Sequence, residues 1–211
     1  MADGGLALRA GQAAAWGEVP CHADVFHAER ELGNVAFYLE RRAGGCTSAR
    51  QKLEHQMDRL RRKGRWGSIA RRLGAARRAE QAAVNLAQEI GTLADWMQKD
   101  ILSLAGPVLS TRRELFDFVV EELARREEFC PHRIAPVRRA LAGQRDDLLA
   151  FAGVLEEEFA ALARQLKVPA DIVRQVCELE AQDANTPAYW RLRGSLLAKL
   201  GDKFLPLQQA L

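Results

Sequence analysis

Apolar residues along this chain recur at spacings of three and four almost throughout, and alternate with polar ones in one short stretch. That stretch, residues 18–27 (E-V-P-C-H-A-D-V-F-H), has the two-residue period of a β-strand, and a short helical run over 6–15 precedes it. A lone strand leaves two rows of backbone donors and acceptors unpaired, and no other segment offers a β-type run to pair with it. The expectation is therefore a strand whose sheet is missing, so that the chain reads as an internal piece of a larger protein that has acquired a start at Met1.

From His27 onward the period is about 3.6. Helix is expected over 27–42, with Gly44-Gly45 as a break, and again over 48–63, where Leu53, Met57 and Leu60 share a face. Gly64-Arg65-Trp66-Gly67 reads as a turn. A long helix over 68–104 follows, with an apolar column spaced by sevens (Ala76, Ala83, Ile90, Met97, Leu104) and Leu86 and Leu93 beside it. So wide and alanine-rich a stripe predicts close helix–helix packing in a bundle.

Gly106-Pro107 ends that helix. Thr111-x-x-Glu114 has the form of a capping box ahead of Leu115, Phe118, Val119 and Leu123. After a loop at Cys130-Pro131-His132, helix is expected over 136–167 with Leu141, Leu148, Phe151, Leu155, Phe159 and Leu162 inward. Pro169 opens a shorter helix (Ile172, Val173, Val176, Leu179). Thr186 and Pro187 supply an N-cap and first-turn proline for a last one that passes through Trp190, Leu196 and Leu200 and stops at Gly201. Residues 204–211 are helix-competent. The fold class predicted is mainly α, a helical bundle preceded by a short incomplete α/β segment.

Composition changes this picture in two places. Across 211 residues, 48% hydrophobic and 28% charged is ordinary globular content, but the net charge of +3 is unevenly spread. Eleven Lys and Arg against two acids (Glu54 and Asp58) fall between Arg50 and Arg78, a local +9 that leaves −6 for the rest. Such asymmetry points to a polyanionic partner, and to nucleic acid rather than membrane, because no apolar run approaches a span of about 20 residues. Cys21, Cys46, Cys130 and Cys177 form no C-x-x-C pair, which argues against a zinc ribbon or a disulfide framework and suits a reducing cytoplasm. A secretory leader pattern is absent from the first residues.

The candidate chemistry is sparse. Asp3 sits in a glycine turn (Ala2-Asp3-Gly4-Gly5), which is either a surface turn or one carboxylate of a metal site. Asp24 is placed to cap the helix that follows the strand, with His27 in its first turn, where it would orient an acid, bind phosphate or simply pack. Cys21, His22 and His27, like Cys130 and His132, lack a second ligand pair at zinc spacing. The basic segment (Arg59, Arg61, Arg62, Lys63, Arg65, Arg71, Arg72, Arg77, Arg78) with Trp66 at its turn would lie along a phosphate backbone with the indole stacking on a base. Its alternative is the solvated outer face of a helical hairpin. The acidic clusters at Glu121-Glu122, Glu127-Glu128 and Glu156-Glu157-Glu158 read as solvated helix faces.

Three segments in order, A-D-G-G-L-A-L-R-A-G-Q, then V-P-C-H-A-D-V-F-H, then a helical stretch containing A-G-P-V-L-S-T-R-R-E-L-F-D-F-V-V, resemble bacterial insertion-sequence transposases of the DDE class. In that family an all-helical domain is inserted into a ribonuclease-H-like core between the second and third catalytic acids. The resemblance implies that residues 1–43 are a partial catalytic core and 44–211 the helical insertion. It implies that Asp3 is the second catalytic aspartate and a ligand of Mg2+ or Mn2+ in the intact enzyme, and that Asp24 and His27 support that site. The partners implied are transposon-end DNA, a second copy of the chain, or intact transposase. The chain departs from the family pattern in having no strand with a first aspartate before Asp3 and no Val-Glu-Asn-like run before Leu211. The expectation is a cytoplasmic transposase fragment that binds no metal and is inactive alone. The alternative is a stand-alone helical interaction or nucleic-acid-binding protein, possible as a dimer built on the seven-residue columns.

Overall fold

The computed structural model describes residues 24–61, 67–104, 106–180 and 182–209, and every regular element among them is helical. The helices are α1 (Val25–Arg61), α2 (Gly67–Trp96), α3 (Leu109–Arg126), α4 (Pro131–Gln165), α5 (Ala170–Glu180), α6 (Pro187–Leu200) and α7 (Phe204–Gln209). A π-helical turn, Met97–Ile101, continues α2, and single 3-10 turns at Glu127–Phe129 and Gly201–Lys203 link α3 to α4 and α6 to α7. Mainly α is therefore correct. The strand expected over 18–27 is corrected where it is described: Val25, Phe26 and His27 form the first turn of α1, and the remainder up to Ala23 lies outside the described residues.

The chain divides into two compact units. The first comprises Phe26–Ser103 and Arg112–Gly143. The break expected at Gly44-Gly45 is absent, since α1 runs through both glycines for 37 residues. Two helix-interior glycines cost about 1 kcal/mol each relative to alanine. That penalty is outweighed because Ala28, Leu32, Val35, Ala36, Leu39 and Ala43 bury one continuous face just before them, and Arg50 anchors the turns after them. In α2 the column of sevens packs as predicted at Ile90 and Met97, both fully buried, with Leu86 and Leu93 beside them, but Leu104 is 74% exposed. The helix stops before that position: a π turn, closed by a bond from the Leu102 amide to the Met97 carbonyl (2.8 Å) over five residues rather than four, ends it at Ile101, and residues 102–104 follow as bends.

Arg112, buried on the apolar side of α3 with Phe116 and Val119, donates from Nη1 to the carbonyls of Ile101 and Ser103, both at 2.6 Å. These are backbone acceptors that the end of the preceding helix leaves unsatisfied. A buried guanidinium, the costliest kind of group to desolvate, is thereby hydrogen-bonded rather than stranded. In α4, Pro131 occupies the first helical position five residues earlier than expected, where a missing amide proton costs nothing.

The second unit includes Leu104–Thr111 and Gln144–Leu211. The capping box at Thr111 is corrected. Helix α3 begins at Leu109, so Thr111 lies inside its first turn, and the Leu109 amide donates instead to the Glu156 carboxylate of α4. Further on, Phe159, Ala163, Val176, Leu179, Leu196, Leu200, Phe204 and Leu207 close into one apolar core. Burying each large side chain in such a cluster is worth about 1.5–3 kcal/mol. Thr186 caps α6 as predicted, its hydroxyl accepting from the Tyr189 amide at 3.3 Å ahead of Pro187, and Gly201 ends the helix at φ 54°. Of the inward set predicted for α4, Leu155 is exposed, while Leu141, Leu148 and Phe159 are buried.

Candidate nucleic-acid interface

Helices α1 and α2 run antiparallel on either side of residues 62–66. The proof is in their cross-pairs: Arg50 Nε to Glu80 Oε2 at 2.5 Å, and Arg77 Nη2 to Glu54 Oε1 at 2.9 Å. Moving four residues forward on α1 therefore moves three residues back on α2. Arg50 also pairs with Glu54 one turn along α1, so that two arginines and two glutamates form one network. The Arg77 guanidinium, with Arg50, holds the Glu54 carboxyl below the ordinary glutamate range, and Arg50 does the same for Glu80, in both cases against the opposing pull of burial.

That network consumes the carboxylates at this end of the hairpin other than Asp58. Arg59 and Arg61 near the end of α1, and Arg71, Arg72 and Arg78 on α2, are all exposed and make no ion pair with another described residue. Arg71 and Arg78 lie seven apart on one face of α2, with Arg72 beside them. The buried positions Ile69 and Leu73 define the opposite side. The predicted basic segment thus becomes a run of uncompensated guanidinium groups along both limbs of a hairpin, with Arg77 alone drawn into the carboxylate network. Arg62, Lys63, Arg65 and Trp66 lie outside the described residues.

Asp24 immediately precedes α1 and is exposed. His27, exposed in the first turn, has Nδ1 3.3 Å from Arg30 Nη2. A guanidinium at that distance makes the imidazole a poor neighbour for a cation. No group of three or more His, Cys, Asp or Glu among the described residues is placed to hold a metal ion, and Asp3 lies outside them. Cys130 Sγ and His132 Nε2 are 3.9 Å apart, and the histidine ring also meets the edge of Tyr38 (centroids 6.2 Å), over which Arg133 stands at 4.6 Å. This is side-chain packing at the foot of α4. No helix among the described residues is long and apolar enough to cross a membrane.

Three features escaped the sequence reading. Glu122 is buried between Arg125 and Arg126, and Arg126, chiefly by its hydrogen bond, holds that carboxyl below its ordinary range while reaching Glu89 of α2 at 2.6 Å. The Glu121-Glu122 pair is therefore only half a solvated face. Arg112 carried a legible signal, a charge four and seven residues before Phe116 and Val119 on the apolar stripe. The third is Trp190, which lies on α6 as expected but is 58% exposed, whereas Leu196 and Leu200 of the same helix are buried.

No family model, no curated protein and no solved structure matches this chain.

Proposed function

We propose that this chain is a segment of a DDE-class DNA transposase: a remnant of a ribonuclease-H-like core over residues 1–43, followed by a helical insertion that binds DNA through the α1–α2 hairpin. The observation that carries the DNA-binding part is the set of five exposed arginines, Arg59, Arg61, Arg71, Arg72 and Arg78, without carboxylate partners among the described residues, beside a network that has used up Glu54 and Glu80. Phosphates are the natural complement of guanidinium groups so arranged, because each phosphate neutralised releases condensed counterions. The transposase assignment itself rests on the order of sequence segments. The residue 43–44 junction drawn from it falls within α1. In the intact enzyme the metal would supply activation of the attacking oxygen and stabilisation of the leaving one. In this reading the present segment contributes binding and orientation of the duplex.

The test is a salt series with a short duplex. Binding should weaken linearly in log K against log salt, with a slope of about −4 to −5 if five phosphates are neutralised. Replacing Arg71, Arg72 and Arg78 together by Gln should reduce that slope by about 3. No detectable binding at low salt, or an unchanged slope in the triple variant, sinks the reading.

A further inference from the structure

The geometry points to Trp190 as a stacking platform for an unpaired nucleobase, with the exposed Arg191 serving a flanking phosphate. The inference rests on the nucleic-acid-binding reading above but concerns a different element and a different form of ligand.

Helix α6 carries Arg191, Arg193 and Lys199 and contains no acidic residue from Pro187 to Leu200. Its N-terminus adds the positive end of the helix dipole one turn from Trp190. The carboxylate in the preceding turn, Asp183, is engaged within its own loop, accepting from the Asn185 amide and side chain at 2.9 Å each. On this one cationic helix stands an indole that the fold holds but does not cover. Arg193 lies between two rings, its Cζ 5.6 Å from the centroid of Trp190 and 5.6 Å from that of the fully buried Phe204. Tyr189 meets Trp190 edge-on at 5.3 Å and 86°.

The indole is thus supported by a guanidinium that is itself wedged against the core, while the residue stays 58% exposed. One turn on, Gly194 has open space where a Cβ would stand, so no neighbouring side chain closes over the ring from that position. A tryptophan ordinarily removes 150–250 Å² from water on burial, on the order of the largest gain any side chain offers. Leaving it open on a unit with a packed apolar core favours a planar partner. A base has that shape, brings its own phosphates, and stacks with little dependence on sequence. The guanidinium behind the ring stiffens it and so lowers the ordering cost of stacking.

The experiment uses the full chain with a labelled oligothymidylate and a blunt duplex of the same length, both at one salt concentration. Trp190→Ala should weaken single-strand binding about tenfold while leaving duplex affinity within error, and Trp190→Phe should recover most of the loss. Circular dichroism melts confirm that these exposed substitutions leave the fold intact. Unchanged single-strand affinity in Trp190→Ala overturns the inference. So does the result that Trp190→Ala abolishes a concentration-dependent self-association without altering oligonucleotide binding, which would assign the ring to a protein contact. If the wild type fails to bind duplex yet its single-strand binding depends on Trp190, the hairpin reading falls and this inference stands. The converse pattern, a normal salt slope on duplex with no Trp190 effect, removes the inference alone.

Discussion

The two units of this chain solve the same packing problem with different means. In the first, α1, α2, α3 and the start of α4 bury apolar stripes but are also tied across helices by charge: Arg50–Glu80, Arg77–Glu54, Arg126–Glu89 and Arg138–Glu127 each join separate elements. In the second, α5, α6 and α7 close with the end of α4 on a core of aliphatic and phenylalanine side chains, and local caps at Thr186 and Gly201 set the helix ends. Ion pairs of partly exposed groups are individually weak and are screened over a Debye length of about 10 Å at 0.1 M salt. Apolar burial is indifferent to salt of that strength and to pH. The first unit should therefore respond to solution conditions, and the second to the loss of volume.

The largest effect belongs to the second unit. Phe204→Ala removes a fully buried ring from the cluster and should cost about 3–5 kcal/mol, read by denaturant melting. Hydrogen exchange should show α5 to α7 losing protection first. Equal loss in α1 and α2 would mean that the two units unfold as one, and the contrast drawn above would not hold energetically.

Next in size are Gly44→Ala and Gly45→Ala. Both glycines are helical and exposed, and a Cβ at either meets nothing within 4 Å, so each substitution should stabilise the first unit by about 1 kcal/mol, additively, with a higher Tm. A decrease would show that the glycines serve a bend or a close approach outside the described residues.

The smallest effect is the acid response of the first unit. Glu54, Glu80 and Glu122 have folded carboxyls held below their unfolded range, so their contribution is present above the ordinary glutamate pKa near 4.3 and is lost as pH falls below it. Glu29, pushed up by burial, acts with the opposite sign: its contribution is lost as pH rises through its folded value. The net expectation is a first unit that loses stability on acidification from pH 5 downward by about this group-by-group titration, while α5 to α7 melt unchanged. The check is a thermal melt at several pH values with probes in each unit, and Arg50→Met should flatten the first unit's acid dependence. A first unit insensitive to both acid and salt would contradict the charge-tied description.

Much of the helical layout was legible in sequence because its signals are local. Pro169 and the Thr186-Pro187 pair act through their own backbone and neighbouring amides, and the structure keeps helix starts at both, whereas Pro131, expected in a loop, opens α4. What failed were inferences in which a local cost was taken to decide a tertiary outcome. Gly44-Gly45 is a poor helix former by itself, but a buried face on one side and Arg50 on the other carry the helix through. Thr111 has the right neighbours for a cap, yet Glu156, 47 residues away, takes the Leu109 amide and moves the start of α3. For the site, the charge excess from Arg50 to Arg78 was visible as composition. Its division into paired Arg50 and Arg77 and uncompensated Arg59, Arg61, Arg71, Arg72 and Arg78 was not, because it depends on the antiparallel register of α1 and α2.

The wide turn at Met97–Ile101 also bears on how this chain tolerates change in length. An α-helix interrupted by one five-residue bond behaves like a sequence with one residue too many, absorbed in place rather than looped out. Loss of a single residue there would restore ordinary winding and withdraw the carbonyls of Ile101 and Ser103 from Arg112. The buried arginine thereby acts as a length gauge, setting how many residues the connection between α2 and α3 must contain.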